Sequence, residues 1–419
     1  MGAGEERFAR TLVQQGLLHP FFQGALNVDD IDVVVPVRDD VASLRSLLTQ
    51  LRGLHVTVVD DGSFHPGLVD ECAHQFDVTL VVLDENRGPA GARNAGMLAT
   101  SRPLVWFVDV DVKVDDAFDV LARLSAQFAD PLLGAIAPRI CGGAGSSQRD
   151  NFEQRFSPLD MGIRGGLVVP SGPVSYVPSA CLLVRRHALG EGFDDTLRVG
   201  EDVDLVWRLF DQGWLVRYVA DLVVTHRARG TWRHWWTQRI SYGASSSELA
   251  QRHGSRLAPV RSDVWTLIAW TSVLIARPMI GARIVRVARG SLRSRLATST
   301  DDADHVASEV VTKGMIRAGA PLARAIVRTF GPLVLLAALH PRLRRRALFV
   351  FVLGTAWRWR HAKFHASDVP LALADDFAYS AGVAKGAWRT KSLQALTPHI
   401  SKSSLNVREL LGFKQQQLD

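Results

Sequence analysis

The side chains best able to do chemistry sit in four clusters, each at the end of a hydrophobic run or at the start of one. Asp60-Asp61 ends VTVVDDGS, Asp109-Val110-Asp111 ends PLVWFVDVD, Glu201-Asp202 opens GEDVDLVWRLF, and His226 closes VADLVVTH. Between the first two, NRGPAGARNAG places Arg87 and Arg93 at a Gly/Ala-rich helix start. Carboxylates at the carboxyl ends of parallel strands lie where open α/β sheets bind ligands. Alternate strand residues point to opposite faces, yet at a frayed strand end Asp109 and Asp111 can both turn toward one ligand. Few hard oxygen ligands from protein, with the rest from phosphate and water, suit Mg2+ or Mn2+. Such a metal would neutralise the charge on a departing diphosphate. Asp60 or Asp61 could accept from a uracil N3–H or a ribose hydroxyl; the competing role is an Asx turn with helix capping.

One of the acids at 201–204 could be a general base, kept ionised by the helix N-terminus, although first-turn acids also serve as plain caps. Asp204 is better matched to Arg208 at i+4. His226 could complete a metal shell or touch phosphate through its neutral ring nitrogen, against the simpler role of a polar strand end. Trp232, Trp235 and Trp236, with Arg239 and Tyr242, offer flat rings on which sugars stack, or else the core face of an amphipathic helix.

Alternating strands and helices position these groups. Continuous apolar strands are expected at Ile31–Val35, Val56–Val59, Val78–Leu83, Leu104–Val108 and Gly134–Ile140, and strand character returns at Val174–Val184 and Val216–Thr225. Asp39 or Asp40 caps a helix with Val41, Leu44, Leu48 and Leu51 on one face. Repeated strand–helix units with non-alternating strands imply a parallel sheet covered on both sides. Residues 141–173, rich in Gly, Ser and Pro, read as an irregular loop on the acceptor side. In GEDVDLVWRLFDQGW, Val203, Val206, Trp207 and Phe210 are expected to pack inward. The loop after the first strand, Pro36-Val37-Arg38-Asp39, lacks the G-x-G-x-x-G of a dinucleotide site, and no G-x-x-x-x-G-K-[ST] occurs, so side chains must hold the nucleotide.

The chain has 419 residues, 47% hydrophobic, with Lys+Arg 49 against Asp+Glu 42 and a net charge of +7. That content excludes wholesale disorder, and the basic balance suits an anionic partner. Cys72, Cys141 and Cys181 read as buried small hydrophobes, not a disulfide frame or metal site. Residues 8–18 have helical spacing and open almost at the first residue, which leaves room for an upstream segment. The charged start has no apolar stretch after it, so no signal peptide is read and the cytosolic side is expected.

Beyond about residue 250 the character changes. Val264–Ala276, Leu333–Leu339 and Ala347–Trp357 are apolar runs, the last two separated by Pro341-Arg342-Leu343-Arg344-Arg345-Arg346. A spanning helix needs about 20 apolar residues and these runs are shorter. They suit an interfacial or re-entrant module on the membrane, with a buried helical bundle as the competing reading. Anionic lipid fits the PRLRRR run better than nucleic acid does. Asp301, Asp302, Asp304, His305 and Glu309 are read as helix-start acids, not a metal cluster. The tail from Ser401 is polar.

VVVPVRDD, VVDDGS, NRGPAGARNAG, the strand ending DVD, GEDVDLVWRLFDQGW and the terminal His226 together resemble glycosyltransferase family 2, over residues 29–245. The wording VPSACLLVRRHAL and THRARGTWRHWWTQRISYGASSSELAQRH is similar to the mycofactocin-system members, which add glucose to a peptide-derived redox cofactor precursor. The resemblance implies an α/β GT-A nucleotide-diphospho-sugar transferase fold with a Rossmann-like, mostly parallel sheet, followed by an α-helical, membrane-associated module. The divisions implied are an N-terminal helical segment at 1–28, a catalytic domain at 29–250 and a helical region at 251–419. Pro36, Arg38 and Asp39 would line a uridine pocket with Asp61 on uracil, Arg93 near the base or phosphates, and Asp109 facing the ribose. Asp111 and His226 would bind Mn2+ or Mg2+ with the diphosphate. Asp202 would be the base beside Glu201 in an inverting transfer from a UDP-sugar. Processive relatives carry Q-x-x-R-W after the catalytic acid; TWRHWWTQRISYG here lacks that spacing, so polymer extrusion is not expected. Two rivals stand: a family-2 enzyme with a lipid-linked or cell-wall acceptor, and a non-catalytic sugar-nucleotide-binding protein docked on a membrane.

Overall fold

Valine-rich runs that can be buried on both faces build the first half of the sheet. In a computed structural model, which describes residues 12–13, 22, 27–170, 172–227, 231–298, 300–361 and 363–401, β1 (Ile31–Val37) and β2 (His55–Asp60) pair in parallel. The α1 helix (Val41–Gln50) joins them. It starts where the Asp40 carboxylate accepts from the Ser43 N–H, and it buries Leu44, Leu47 and Leu48. The chain then runs through α2 (Pro66–Gln75), β3 (Thr79–Val82), α3 (Gly88–Leu98) and β4 (Leu104–Val108), all five of whose residues are buried. Small residues let α3 lie against the sheet: a Cβ on Gly96 would come within 2.3 Å of Val34 Cγ1.

β5 (Val112–Lys113), α4 (Ala117–Ser125), β6 (Leu133–Gly142), α5 (Gln148–Phe156), β7 (Gly166–Leu167), β8 (Cys181–Arg185), α6 (Arg186–Leu189), α7 (Glu201–Asp211) and β9 (Leu215–His226) follow. The sheet has nine strands in the order β3-β2-β1-β4-β8-β6-β9-β5, with β7 on β9. The connections first move outward from β1, then return to β4 on its other side. That reversal opens a crevice at the carboxyl ends of β1 and β4, where ligands of open α/β sheets bind. The sheet is mixed: β8 runs antiparallel to both β4 and β6. The fold is thus α/β and GT-A-like, followed by a helical region.

Several expectations are corrected. The strand read from Val174 starts only at Cys181, because Pro178 interrupts the segment and proline offers no N–H to a ladder. The 141–173 stretch is not all loop; Ser147 and Asp150 form a reciprocal capping box that starts α5. On α7, Leu205, Val206, Trp207 and Leu209 are buried, whereas Phe210 is exposed. The helix expected at 8–18 and the tail beyond Ser401 lie largely outside the described residues.

The chain divides between Trp235 and Trp236 into two compact units. Helix α8 (Trp232–His253) carries that junction. The second unit contains β10 (Arg261–Asp263) paired with β11 (His399–Ser401), α9 (Val264–Leu274), α10 (Pro278–Leu296), α11 (Ala303–Ala307), α12 (Gly314–Leu339), α13 (Arg344–Ala356) and α14 (Val369–Thr390). A π-helical turn at Ser308–Lys313 makes α11 and α12 one continuous run, Ala303–Leu339, of 37 residues. The apolar stretch at Leu333–Leu339 is therefore the end of a helix that, by length and composition, is long enough to cross a membrane. The chain bends at Phe330, just before Gly331-Pro332, where proline cannot supply the helical N–H.

Candidate active site

The loops after β1 and β2 are tied to each other. Asp39 takes a positive φ of 59°. Its backbone N–H donates to Ser63 Oγ at 2.9 Å, and its carboxylate accepts from the Phe64 N–H at 2.7 Å. Arg38 lies over the Phe64 ring at 5.4 Å. Pro36, half-buried at the end of β1, is in register with Val59 of β2. Asp60 is fully buried; one of its oxygens accepts from the Ser63 N–H, and the other meets no hydrogen-bond partner among the described residues. Asp61 accepts from the backbone N–H groups of Arg87 at 2.6 Å and Gly88 at 3.0 Å, so it caps α3 from across the crevice. Burial pushes the Asp61 carboxyl above its usual value, partly offset by those two N–H donors.

Arg93, on the buried face of α3, reaches two strand- and helix-end acids at once. Its guanidinium donates to Asp109 at 2.6 Å and to Glu201 at 2.9 Å. Burial alone would lower its pKa, but Asp109 and then Glu201 outweigh it and hold the proton more tightly than usual. Arg93 is thus enclosed between two carboxylates. The guanidinium also faces Phe193 at 5.5 Å, and that ring meets Phe107 edge-on. Asp202, next along α7, lies near Glu201, Arg93 and Asp109. Burial, and then the Glu201 charge, push its carboxyl up to about 7. Asp204 pairs with Arg208 at 2.7 Å, as its spacing implied.

Asp111 and His226 come together at adjoining strand ends. Val112 of β5 is in register with His226 of β9, and His226 Nε2 lies 2.8 Å from Asp111 Oδ2. Among the described residues no group of three or more His, Cys, Asp or Glu side chains is arranged to hold a metal. Of the three tryptophans, Trp235 is buried, donates to Glu153 at 2.6 Å and meets the exposed Trp232 edge-on at 6.0 Å, whereas Trp236 belongs to the second unit, where it packs on Phe377.

Residues 32–193 match a family model described as glycosyl transferase family 2. A pre-mycofactocin glycosyltransferase from Mycobacterium tuberculosis is 35% identical over 410 residues, covering 94% of this chain and 87% of its own. The chain belongs to glycosyltransferase family 2. A poly-β-1,6-N-acetyl-D-glucosamine synthase from Staphylococcus aureus is 23% identical over 247 residues, 54% of this chain and 58% of that one. Among solved structures, a mannosyltransferase from Pyrobaculum calidifontis in complex with GDP-Man and Mn2+ aligns over 92% of this chain and 95% of its own, with 18% identity and a TM-score of 0.47.

In this glycosyltransferase the donor set at the β5–β9 end is one carboxylate and one imidazole. That suits a hard divalent ion whose remaining ligands come from phosphate and water, the incomplete protein shell Mg2+ and Mn2+ accept. Sequence reasoning missed the supports around the acids. Asn94 Nδ2 donates to the Phe193 carbonyl, and Asn94 Oδ1 accepts from the Phe193 N–H, both at 2.8 Å. Arg198 donates to Asn86 at 2.9 Å, and Arg87 pairs with Asp195 at 3.0 Å. These contacts staple the segment before α7 to α3 and to the two residues that precede it. None has a local sequence signature, since each joins residues about a hundred positions apart.

Proposed function

We propose that this family-2 enzyme is an inverting, metal-dependent transferase that moves glucose from UDP-glucose to a hydroxyl of a pre-mycofactocin acceptor, adding one or several β-linked sugars. The observation that carries the reading is the convergence, at one end of the sheet, of the Asp111–His226 pair with the Asp109–Arg93–Glu201 bridge and Asp202. The acceptor rests on the name of the relative that is 35% identical across 94% of the chain, and the choice of UDP-glucose on the family resemblance of the motifs.

Asp111 and His226 would hold Mn2+ or Mg2+. When bound, the ion would supply positive charge beside the donor diphosphate. Pro36, Arg38, Asp39 and Asp61 would frame the uridine. Asp109 would face the ribose with one oxygen while Arg93 holds the other. Asp202 is the base: it takes the acceptor hydroxyl proton as that oxygen bonds to the anomeric carbon, and the bond from that carbon to the phosphate oxygen breaks on the opposite side. Glu201 and Arg93 are positioning residues that keep Asp202 beside a fixed charge pattern. No covalent enzyme intermediate is required.

The test is mass spectrometry of pre-mycofactocin incubated with the protein, UDP-glucose and Mn2+. Hexose additions are expected, and Asp111→Asn should abolish them. Undiminished donor turnover in that variant would sink the metal assignment. UDP release from a sugar-nucleotide panel without addition to pre-mycofactocin would redirect the acceptor to lipid-linked or cell-wall glycans.

A further inference from the structure

Between Val310 and Ser367 the sequence holds eleven Lys and Arg and not one Asp or Glu. Most of this stretch forms the α12–α13 hairpin, whose connection is His340-Pro341-Arg342-Leu343. The hairpin leaves apolar side chains exposed along both helices and at its tip: Leu336 is 61% exposed and Leu339 74%, Leu333, Leu343 and Phe349 are exposed as well, and Val352, further along α13, is 62% exposed. Arg342, Arg344, Arg345 and Arg346 are all exposed at the same tip. Leucines interleaved with unopposed arginines suit neither water nor a polyanion alone.

We propose that the α12–α13 tip docks on an anionic lipid surface, entering one leaflet and not spanning it. Charge selects the partner. A second copy of the same tip would set four arginines against four, whereas acidic headgroups neutralise them and the acyl boundary takes the leucines. Helix geometry sets the depth. Leu333–Leu339 covers seven residues, about 10 Å at 1.5 Å per residue. Interfacial helices bury roughly 5–10 Å, while the hydrocarbon core is about 30 Å thick. One turn before Leu333 the helix is already polar inside the protein: Arg328 lies 4.1 Å from the Tyr379 ring centre and 3.5 Å from Asp375. The apolar surface on α12 is therefore a short wedge above an ionic layer.

The full-length chain should float with phosphatidylcholine vesicles containing phosphatidylglycerol, and much less with phosphatidylcholine alone. Replacing Arg342, Arg344, Arg345 and Arg346 by Gln should weaken partitioning by several hundred-fold, at about fivefold per charge. Leu336→Asp with Leu339→Asp should abolish flotation while leaving the helical circular-dichroism signal and melting temperature of the chain unchanged, which separates lost docking from misfolding. An alkaline carbonate wash should strip the wild-type chain from the vesicles; resistance to it would mean a spanning helix and overturn the depth. Failure to float, equal binding to neutral vesicles, or an Arg-dependent shift of nucleic acid or self-association without lipid binding would each overturn the proposal. None of these results bears on sugar transfer, which is measured separately.

Discussion

Arg93 shows how strongly one buried cation can organise a site. It lies between Asp109 and Glu201 with almost no exposure; Glu201 is nearly as enclosed, while Asp109 keeps one side open to water. Arg93→Ala should destabilise the first unit by about 3–5 kcal/mol, the usual cost of stranding one side of a buried ion pair. Arg93→Lys should recover only part of this, because a single ammonium cannot fork to two carboxylates; thermal melts of the three proteins check both. Asp202 makes a kinetic prediction. Its carboxyl is raised to about 7, first by burial and then by Glu201, and only the ionised form can accept a proton. Activity should therefore fall as pH drops through about 7, with log kcat/KM losing one unit per pH unit below it. Asp202→Asn should cut kcat about 10²–10⁴-fold and leave donor KM nearly unchanged. A variant that keeps its kcat would move the base elsewhere.

At the scale of elements, the crevice depends on segments that hold one another. The two Asn94–Phe193 bonds join α3 to the loop before α7, and Gly192 has a φ of 84° where a Cβ would meet Asn94 Oδ1 at 2.4 Å. Asn94→Ala removes both bonds. It should cost about 1–3 kcal/mol by leaving buried backbone groups unpaired, and it should lower kcat more than KM because Phe193 backs Arg93. Unchanged kcat with lowered stability would reduce the clasp to scaffolding. Much of this half was legible: β1, β2 and β4 are apolar runs ending in acids, and sheet topology puts such ends together. Asp111 and His226 were readable for that reason. Asp39, Asp61 and Arg93 were readable as site candidates, but their bonding partners were not, because those lie from 16 to 108 residues away. The antiparallel β8 was illegible because a buried strand has the same apolar composition in either direction, and α5 hid in a Gly/Ser-rich stretch whose Ser147–Asp150 box was the available clue.

The whole molecule joins a sheet unit stabilised by apolar burial to a helical unit built around charge. In the latter, Asp375 and Asp376 of α14 meet Arg239 of α8, Arg324 and Arg328 of α12, and Arg358 beyond α13; Arg239 lies 2.8 Å from Asp375, and Arg324 lies 2.6 Å from Asp376. Adjacent acids in a helix usually mark a solvated face, so their local spacing does not single these out. Burial would raise the Asp375 carboxyl, but Arg358, Arg328 and Arg239 outweigh it and hold it well below the usual range. A depressed folded-state pKa contributes stability that is present above the unfolded value, about 3.9, and lost as pH falls below it. Asp375→Asn should therefore lower the melting temperature of the helical unit at neutral pH, by an amount equivalent to about 3–5 kcal/mol, and flatten its loss of stability below about pH 4. Under the proposed function UDP would bind the sheet unit, and its binding would give an independent reading of whether that unit stays folded. If Asp375→Asn melts like the wild type at both pH 7 and pH 3, the cluster is held together by packing and its charges are incidental.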